Sequence, residues 1–250
     1  MNEAKFTGKA EGYAQHRPTY PTALLEYLYT ELGFTRSSAL ADIGAGTGLW
    51  SRCLAARTDA VTCVEPNADM LAQARVTLVD FPGCRFVQAP AEATTLPDGS
   101  QDFVMAAQAF HWFDRSKFRA ECRRILRPGG KVVLLWNCRL KDDPVVQAMA
   151  DANRRHCPAF AGFSGGINEA PESFADFFAG GVCEYKVFDH PLLYTEEGFV
   201  GRSLSSSYAP REGQPQYEAY VAECREIFWK HCEGGLLKMG NVTRVYLGEV

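Results

Sequence analysis

Apolar positions first recur at helical spacing. Leu24, Leu25, Leu28 and Leu32 follow Pro21 at intervals of three and four, and Gly33 suits the stop of a helix. The pattern then changes to short, continuous apolar runs, each followed by an amphipathic stretch. Strands are predicted over 39–43, 60–65, 85–88, 103–107 and 132–136. Helices are predicted at about 49–57, over 67–78 with Met70, Leu71, Ala74 and Leu78 on one face, and over 115–126 with Phe118, Cys122 and Ile125 inward. Arg127-Pro-Gly-Gly-Lys131 reads as the stop of the last helix. Strands apolar throughout, alternating with such helices, describe a parallel sheet covered on both faces, so 37–137 reads as a doubly wound α/β core.

The remainder breaks that rhythm. A helix is predicted at about 144–156, then a loose aromatic and glycine stretch over 160–167, a short helix near 172–178 and a strand over 183–190. A Ser-rich turn, a long amphipathic helix over 216–231 and a last strand over 242–247 follow. Two late strands separated by extra helices suggest a sheet completed at the end of the chain, with a cap inserted. The expected organisation is a single domain: an N-terminal arm and helix (1–36), the core (37–137), a cap with a late strand (138–235) and a final strand (236–250).

Composition narrows the class. The chain has 250 residues, enough to bury a full core without disulfides or metal. With 46% apolar residues and a net charge of -4, it offers no electrostatic case for a nucleic-acid partner. Its nine cysteines are scattered and never form C-x-x-C, so neither a disulfide framework nor a metal site is expected, and a reducing cytoplasm fits. No apolar run reaches the roughly 20 residues of a membrane span, and no membrane partner is expected.

The chemistry concentrates after the first strand, in Asp42-Ile-Gly-Ala-Gly-Thr-Gly48. Glycines suit a tight strand-to-helix turn where φ is positive or a ligand must touch the main chain. The spacing G-x-G-x-G is one residue short of the dinucleotide pattern G-x-G-x-x-G. Twenty-one residues beyond Gly44, Glu65 ends the second strand, where a carboxylate can accept hydrogen bonds from ribose hydroxyls and reject a 2′-phosphate. Asp42 adds a second carboxylate, which disfavours a pyrophosphate and favours a ligand carrying positive charge. A bracing or capping role for Asp42 remains open beside this one. S-adenosylmethionine, an adenosine with an ammonium and a sulfonium, fits both acids.

Together with "DIGAGTG", the segments "VEPNADML", "APAEATTLPDGSQDFVMAAQAFHWFD" and "LRPGGKVVLLWN" resemble the class I S-adenosylmethionine-dependent methyltransferases. "YAQHRPTYP" and "SLSSSYAP" are similar to the small-molecule branch with trans-aconitate-type and cantharidin-type enzymes. The resemblance implies a Rossmann-like seven-stranded methyltransferase sheet with helical cap insertions. It implies cofactor contacts from Asp42, Gly44, Ala45, Gly46 and Thr47, from Glu65 to the ribose, and from Pro66 and Asn67 near the adenine. It further implies Ala91 and Glu92 at the adenine edge, Gln108, Ala109 and His111 near the sulfonium and the substrate, and Tyr13 and Arg17 closing over the cofactor. Where an acid often meets the adenine amino group, this chain has Pro90.

His111 is the candidate catalytic residue, as a general base for an acceptor that must lose a proton; a histidine satisfied by a backbone carbonyl is the structural alternative. Arg17 and Arg139 could hold a substrate carboxylate through the guanidinium fork. Ser205, Ser206, Ser207 and Tyr208 could line the acceptor pocket. The expected activity is methylation of a small molecule, directed to the oxygen of a carboxylate or hydroxyl, by a monomer or homodimer. The alternatives are an S-adenosylmethionine-binding interaction module without catalysis and a nicotinamide-dependent oxidoreductase, which the glycine spacing disfavours.

Overall fold

The computed structural model describes residues 19–163 and 170–250. Its strands are β1 (Ala39–Ile43), β2 (Ala60–Val64), β3 (Arg85–Val87), β4 (Gln101–Ala107), β5 (Leu126–Arg139), β6 (Glu184–Asp189), β7 (Leu192–Tyr194), β8 (Cys232–Glu233), β9 (Leu236–Met239) and β10 (Asn241–Gly248). The α-helices are α1 (Thr22–Thr30), α2 (Leu49–Ala55), α3 (Ala68–Thr77), α4 (Arg115–Ile125), α5 (Pro144–His156), α6 (Glu196–Leu204) and α7 (Tyr217–His231). Seven strands form one sheet in the order β3-β2-β1-β4-β5-β10-β6, and β7-β9-β8 form a second, smaller sheet.

Strands β1 to β5 are parallel, as the apolar runs predict, and β10 closes the sheet antiparallel to both β5 and β6. Side chains alternate strictly between two cores. On β5, Val132, Leu134, Trp136 and Cys138 join the core with Phe118, Cys122 and Ile125 of α4. Val133 and Leu135 join the opposite core, with Leu24 and Leu28 of α1 and Trp50 and Leu54 of α2. A period of two with both faces covered is why these strands read as continuous apolar runs. Each fully buried Leu or Val here contributes about 1.5–3 kcal/mol relative to exposure.

One reading is corrected. The segment Arg127-Pro-Gly-Gly is not a clean stop ahead of a strand beginning near Val132. Pairing of β4 with β5 jumps from Gln101↔Leu126 to Phe103↔Lys131, so these four residues bulge out of a strand that already begins at Leu126. Gly129 at φ 77° turns the bulge, and Arg127 ties it to Asp102 with an Nη1–Oδ1 distance of 2.6 Å.

The cap has its own core, in which Val145, Val146 and Met149 of α5 pack with Phe199 of α6, Tyr220 and Phe228 of α7, and Leu237 and Met239 of β9. Asp143 locks it to the main sheet. Its Oδ1 accepts the N–H groups of Val145 and Val146, capping α5, while Oδ2 accepts the N–H of Gly240 between β9 and β10.

Strand order reverses between β1 and β4, because β2 and β3 lie to one side and β5 to the other. In doubly wound sheets a crevice opens there, at the carboxyl ends of the strands. The glycine turn after β1, Glu65 after β2 and Gln108 after β4 all stand at that edge.

Candidate functional site at the carboxyl edge of the sheet

Three glycines of the turn have positive φ: Gly44 at 70°, Gly46 at 56° and Gly48 at 82°. They are required for different reasons. A Cβ on Gly44 would lie 2.6 Å from the Cβ of Ala109, so Gly44 lets the turns after β1 and β4 touch. A Cβ on Gly46 would meet nothing within 4 Å, so its backbone faces open space. The turn hangs on β2, with the Gly44 and Ala45 N–H groups donating to Val64 O at 2.8 and 3.1 Å.

Glu65, 8% exposed, is anchored from both sides. Its Oε2 accepts the Gly46 N–H at 2.9 Å and its Oε1 the Asn67 N–H at 3.0 Å. Asn67 in turn caps α3, its Oδ1 accepting the Met70 N–H at 3.0 Å. Pro66, half-buried between them, accepts a hydrogen bond from Gln88 Nε2 through its carbonyl.

Asp42 lies beneath the turn and is fully buried. The Ser51 hydroxyl donates to its Oδ2 at 2.5 Å, and the Cys63 thiol donates to Ser51 Oγ at 3.2 Å. Its Oδ1 and the Oγ1 of Thr47 are buried without a hydrogen-bond partner among the described residues. Burial raises the Asp42 pKa to about 7; the charge of Glu65 adds to the rise and the Ser51 hydrogen bond opposes it. Two orphaned acceptors next to an open backbone suit a ligand that brings donors and positive charge.

The far wall comes from the segments after β3 and β4. Ala91 is buried, and Glu92 Oε1 accepts the Asp114 N–H at 2.7 Å, which ties this wall to the start of α4. Gln108 takes φ 61°, a left-handed conformation that costs a non-glycine residue on the order of 1–3 kcal/mol and clusters at functional sites. Its N–H donates to Leu135 O at 2.9 Å, and its Nε2 reaches Asn137 O at 3.4 Å. His111 follows in a 3-10 turn (Phe110–Trp112) beside the ring of Trp112, 4.7 Å between centroids. The residue is open to solvent yet crowded by protein on several sides, as a cleft-lining group is, and that crowding lowers its pKa to about 4. The imidazole is therefore neutral at pH 7.

Asn137 and His190 hold Thr19. Asn137 Nδ2 donates to Thr19 O at 3.0 Å, His190 Nε2 donates to the same carbonyl at 2.9 Å, and the ring of Tyr20 lies 4.6 Å from that of Trp50 at the start of α2. Tyr13 and Arg17 lie outside the described residues. Two residues beyond Asn137 on β5, Arg139 places its Cζ over the ring of Phe163, 4.4 Å from the centroid. With Phe163, Arg202, Ser206, Tyr208 and Tyr220, it lines a cavity in the cap of about 20 Å³, room for about one water.

The structure thus brings Asp42, Gly44, Ala45, Gly46, Thr47, Glu65, Pro66, Ala91, Glu92, Gln108 and His111 to one edge of the sheet, and Arg139 with Ser206 and Tyr208 to the adjoining cavity. Ser205 accepts from Arg202 Nη1 at 3.4 Å instead of lining that cavity. Sequence reasoning missed Ser51 and Arg202. For Arg202 the usable signal is helical spacing, since Phe199, Arg202, Ser203 and Ser206 share one face of α6 and its end. Among the described residues no cluster of His, Cys, Asp and Glu could hold a metal, and no helix is long and apolar enough to cross a membrane.

Residues 41–134 match a family model described as a methyltransferase domain. An uncharacterised methyltransferase of Schizosaccharomyces pombe is 34% identical over 219 residues, which is 86% of this chain and 83% of that protein. A second S. pombe protein, named as methyltransferase-like, is 29% identical over 224 residues, 86% of this chain and 82% of its own length. A solved structure from Anaeromyxobacter dehalogenans, assigned by name to the type II methyltransferases, shares 26% identity at a TM-score of 0.65 and covers 93% of this chain and 97% of its own.

Proposed function

Because this chain belongs to the class I S-adenosylmethionine-dependent methyltransferases, with that molecule as cofactor, we propose that it methylates an oxygen of a small molecule, foremost a carboxylate. The family membership displaces the nicotinamide-dependent alternative. The residues fit the cofactor: its ammonium and hydroxyl donors answer the orphaned Asp42 Oδ1 and Thr47 Oγ1, and the open face of Gly46 gives the main chain room to approach it. In this reading Glu65, already oriented by two N–H groups, holds the ribose, with Pro66, Asn67, Ala91 and Glu92 around the adenine. Gln108 and His111 border the point of transfer. Tyr13 and Arg17 close over the cofactor in this reading, and Thr19 is held by Asn137 and His190. When bound, the cofactor supplies the methyl group on an activated sulfur.

The observation that supports a carboxylate acceptor is His111, which sits beside Trp112 at the edge of the site with its pKa lowered to about 4 by the protein crowded around it. A general base works best with a pKa near the operating pH, and a value of about 4 makes a poor acceptor for the proton of an amine or alcohol. A carboxylate needs no base. Its oxygen supplies the electron pair of the new O–C bond while the sulfur leaves with the pair of the old one, and an anion becomes a neutral ester with no proton to move. The protein then has to align the reactants and exclude water, a contribution of up to about 7–11 kcal/mol in well-oriented systems.

The test is transfer of tritiated methyl from the cofactor to a pool of small carboxylic and hydroxy acids. Label released as methanol by mild alkali is the expected result. Alkali-stable label on nitrogen contradicts the assignment.

A further inference from the structure

We propose that the cap cavity between Arg139 and Arg202 is an anion subsite that holds a carboxylate of the methyl acceptor while another of its oxygens reacts; this rests on the methyl-transfer reading above. Arg139 stands at the carboxyl end of β5, paired with Asn241, two residues past the Asn137 whose carbonyl meets the Gln108 side chain. Positions two apart on a strand share a face and lie about 6.5–7 Å from each other. Arg139, one wall of the cavity, therefore stands about 6.5–7 Å along β5 from the residue that meets the Gln108 side chain.

The chemistry of the lining is that of a carboxylate site. Phe163 holds the Arg139 guanidinium over its ring, 4.4 Å from Cζ to the centroid, and the planar N–H fork of a guanidinium matches both oxygens of a carboxylate. Arg202 is only 9% exposed and enters the same space from α6, with Ser205 accepting from its Nη1. Ser206 and Tyr208 bring hydroxyls, and Phe163 and Phe199 supply the apolar walls that strengthen charge-assisted hydrogen bonds by excluding water. The space is that of about one water, so the walls have to part for any anion, and less for a planar carboxylate than for a tetrahedral phosphate.

The experiment is calorimetric titration of the full chain, saturated with S-adenosylhomocysteine, with succinate, neutral succinamide and inorganic phosphate. Succinate is expected to bind one site, and succinamide and phosphate at least tenfold more weakly. Arg139→Lys and Arg202→Lys keep the charge but lose the fork. Each is expected to weaken succinate at least tenfold while S-adenosylhomocysteine affinity and thermal midpoint stay unchanged. If Arg202→Lys does not fold, Arg139→Lys and Ser206→Ala decide the matter. Equal binding of succinamide, tighter binding of phosphate, or wild-type succinate affinity in the folded variants overturns the subsite. Arginine-dependent succinate binding without methyl transfer to any acid upholds the subsite and removes the methylation reading; transfer to acids indifferent to both arginines does the reverse.

Discussion

The Glu65 carboxylate accepts the Gly46 backbone N–H at 2.9 Å, which makes the acid ending β2 and the glycine turn after β1 one structural unit. The same carboxylate orients Asn67, the cap of α3. Replacing Glu65 by Gln turns one acceptor oxygen into a donor facing a backbone N–H. Hydrogen bonds to charged groups are worth about 1.5–3 kcal/mol each, so Glu65→Gln is expected to weaken S-adenosylhomocysteine by tenfold or more and to lower the thermal midpoint. Calorimetry and thermal unfolding measure both; unchanged affinity would show that this carboxylate serves the fold alone.

The glycines of the turn separate packing from binding. Gly44→Ala drives a methyl group to 2.6 Å from Ala109 and should destabilise the protein by about 1–3 kcal/mol, seen in chemical denaturation. Gly46→Ala meets no protein atom within 4 Å. It carries only the left-handed strain of about 1 kcal/mol and places its methyl on the ligand side. Its expected signature is a large loss of cofactor affinity with a small loss of stability, and the opposite pattern would relocate the ligand.

Asp42 links the site to pH. Its folded pKa of about 7 stands above the unfolded value of about 3.9. The folded chain holds a proton that the unfolded chain releases, so this group's contribution to stability is complete below about pH 4 and is lost as pH rises to about 7. Asp42→Asn should remove that decline and raise the thermal midpoint at pH 8. A cationic ligand favours the ionised form, so S-adenosylmethionine affinity should increase from pH 5 to pH 8 in the wild type and flatten in the variant. Titrations in buffers of different ionisation enthalpy would count the proton released.

His111 is a wall of the site before it is a base. With a carboxylate acceptor, His111→Ala should lower kcat by less than about tenfold, because no proton has to be moved. A loss of a hundredfold or more, with disappearance of the acidic limb of the wild-type pH–rate profile, would mark a general base and a hydroxyl acceptor.

What was legible in the sequence follows from how local each signal is. Helix α5 announced itself through Asp143, Pro144 and an apolar face, all within one segment. The parallel strands showed as apolar runs because both of their faces are buried. Arg127-Pro-Gly-Gly read as a terminator because nothing local says that the chain returns to the same strand beyond Gly130. Strands β7 and β9 went unread because three or four residues carry too little pattern, and the pairing of β7 with β9 spans more than forty positions. Helix α6 hid behind its small and charged residues, although Thr195 caps it by accepting the Gly198 N–H. In the site, glycine spacing and the two acids were readable, whereas the burial that raises Asp42 and the crowding that lowers His111 are properties of the packed tertiary structure.

The most direct measurement of the central claim, that the β1 turn with Glu65 is the cofactor site, is a crystal structure with S-adenosylhomocysteine. The predicted result has ribose oxygens on Glu65, the amino group toward Asp42, and the sulfur facing Gln108 and His111, with the vacant methyl direction leading to Arg139. A ligand seated elsewhere, or ribose hydroxyls out of reach of Glu65, would contradict it.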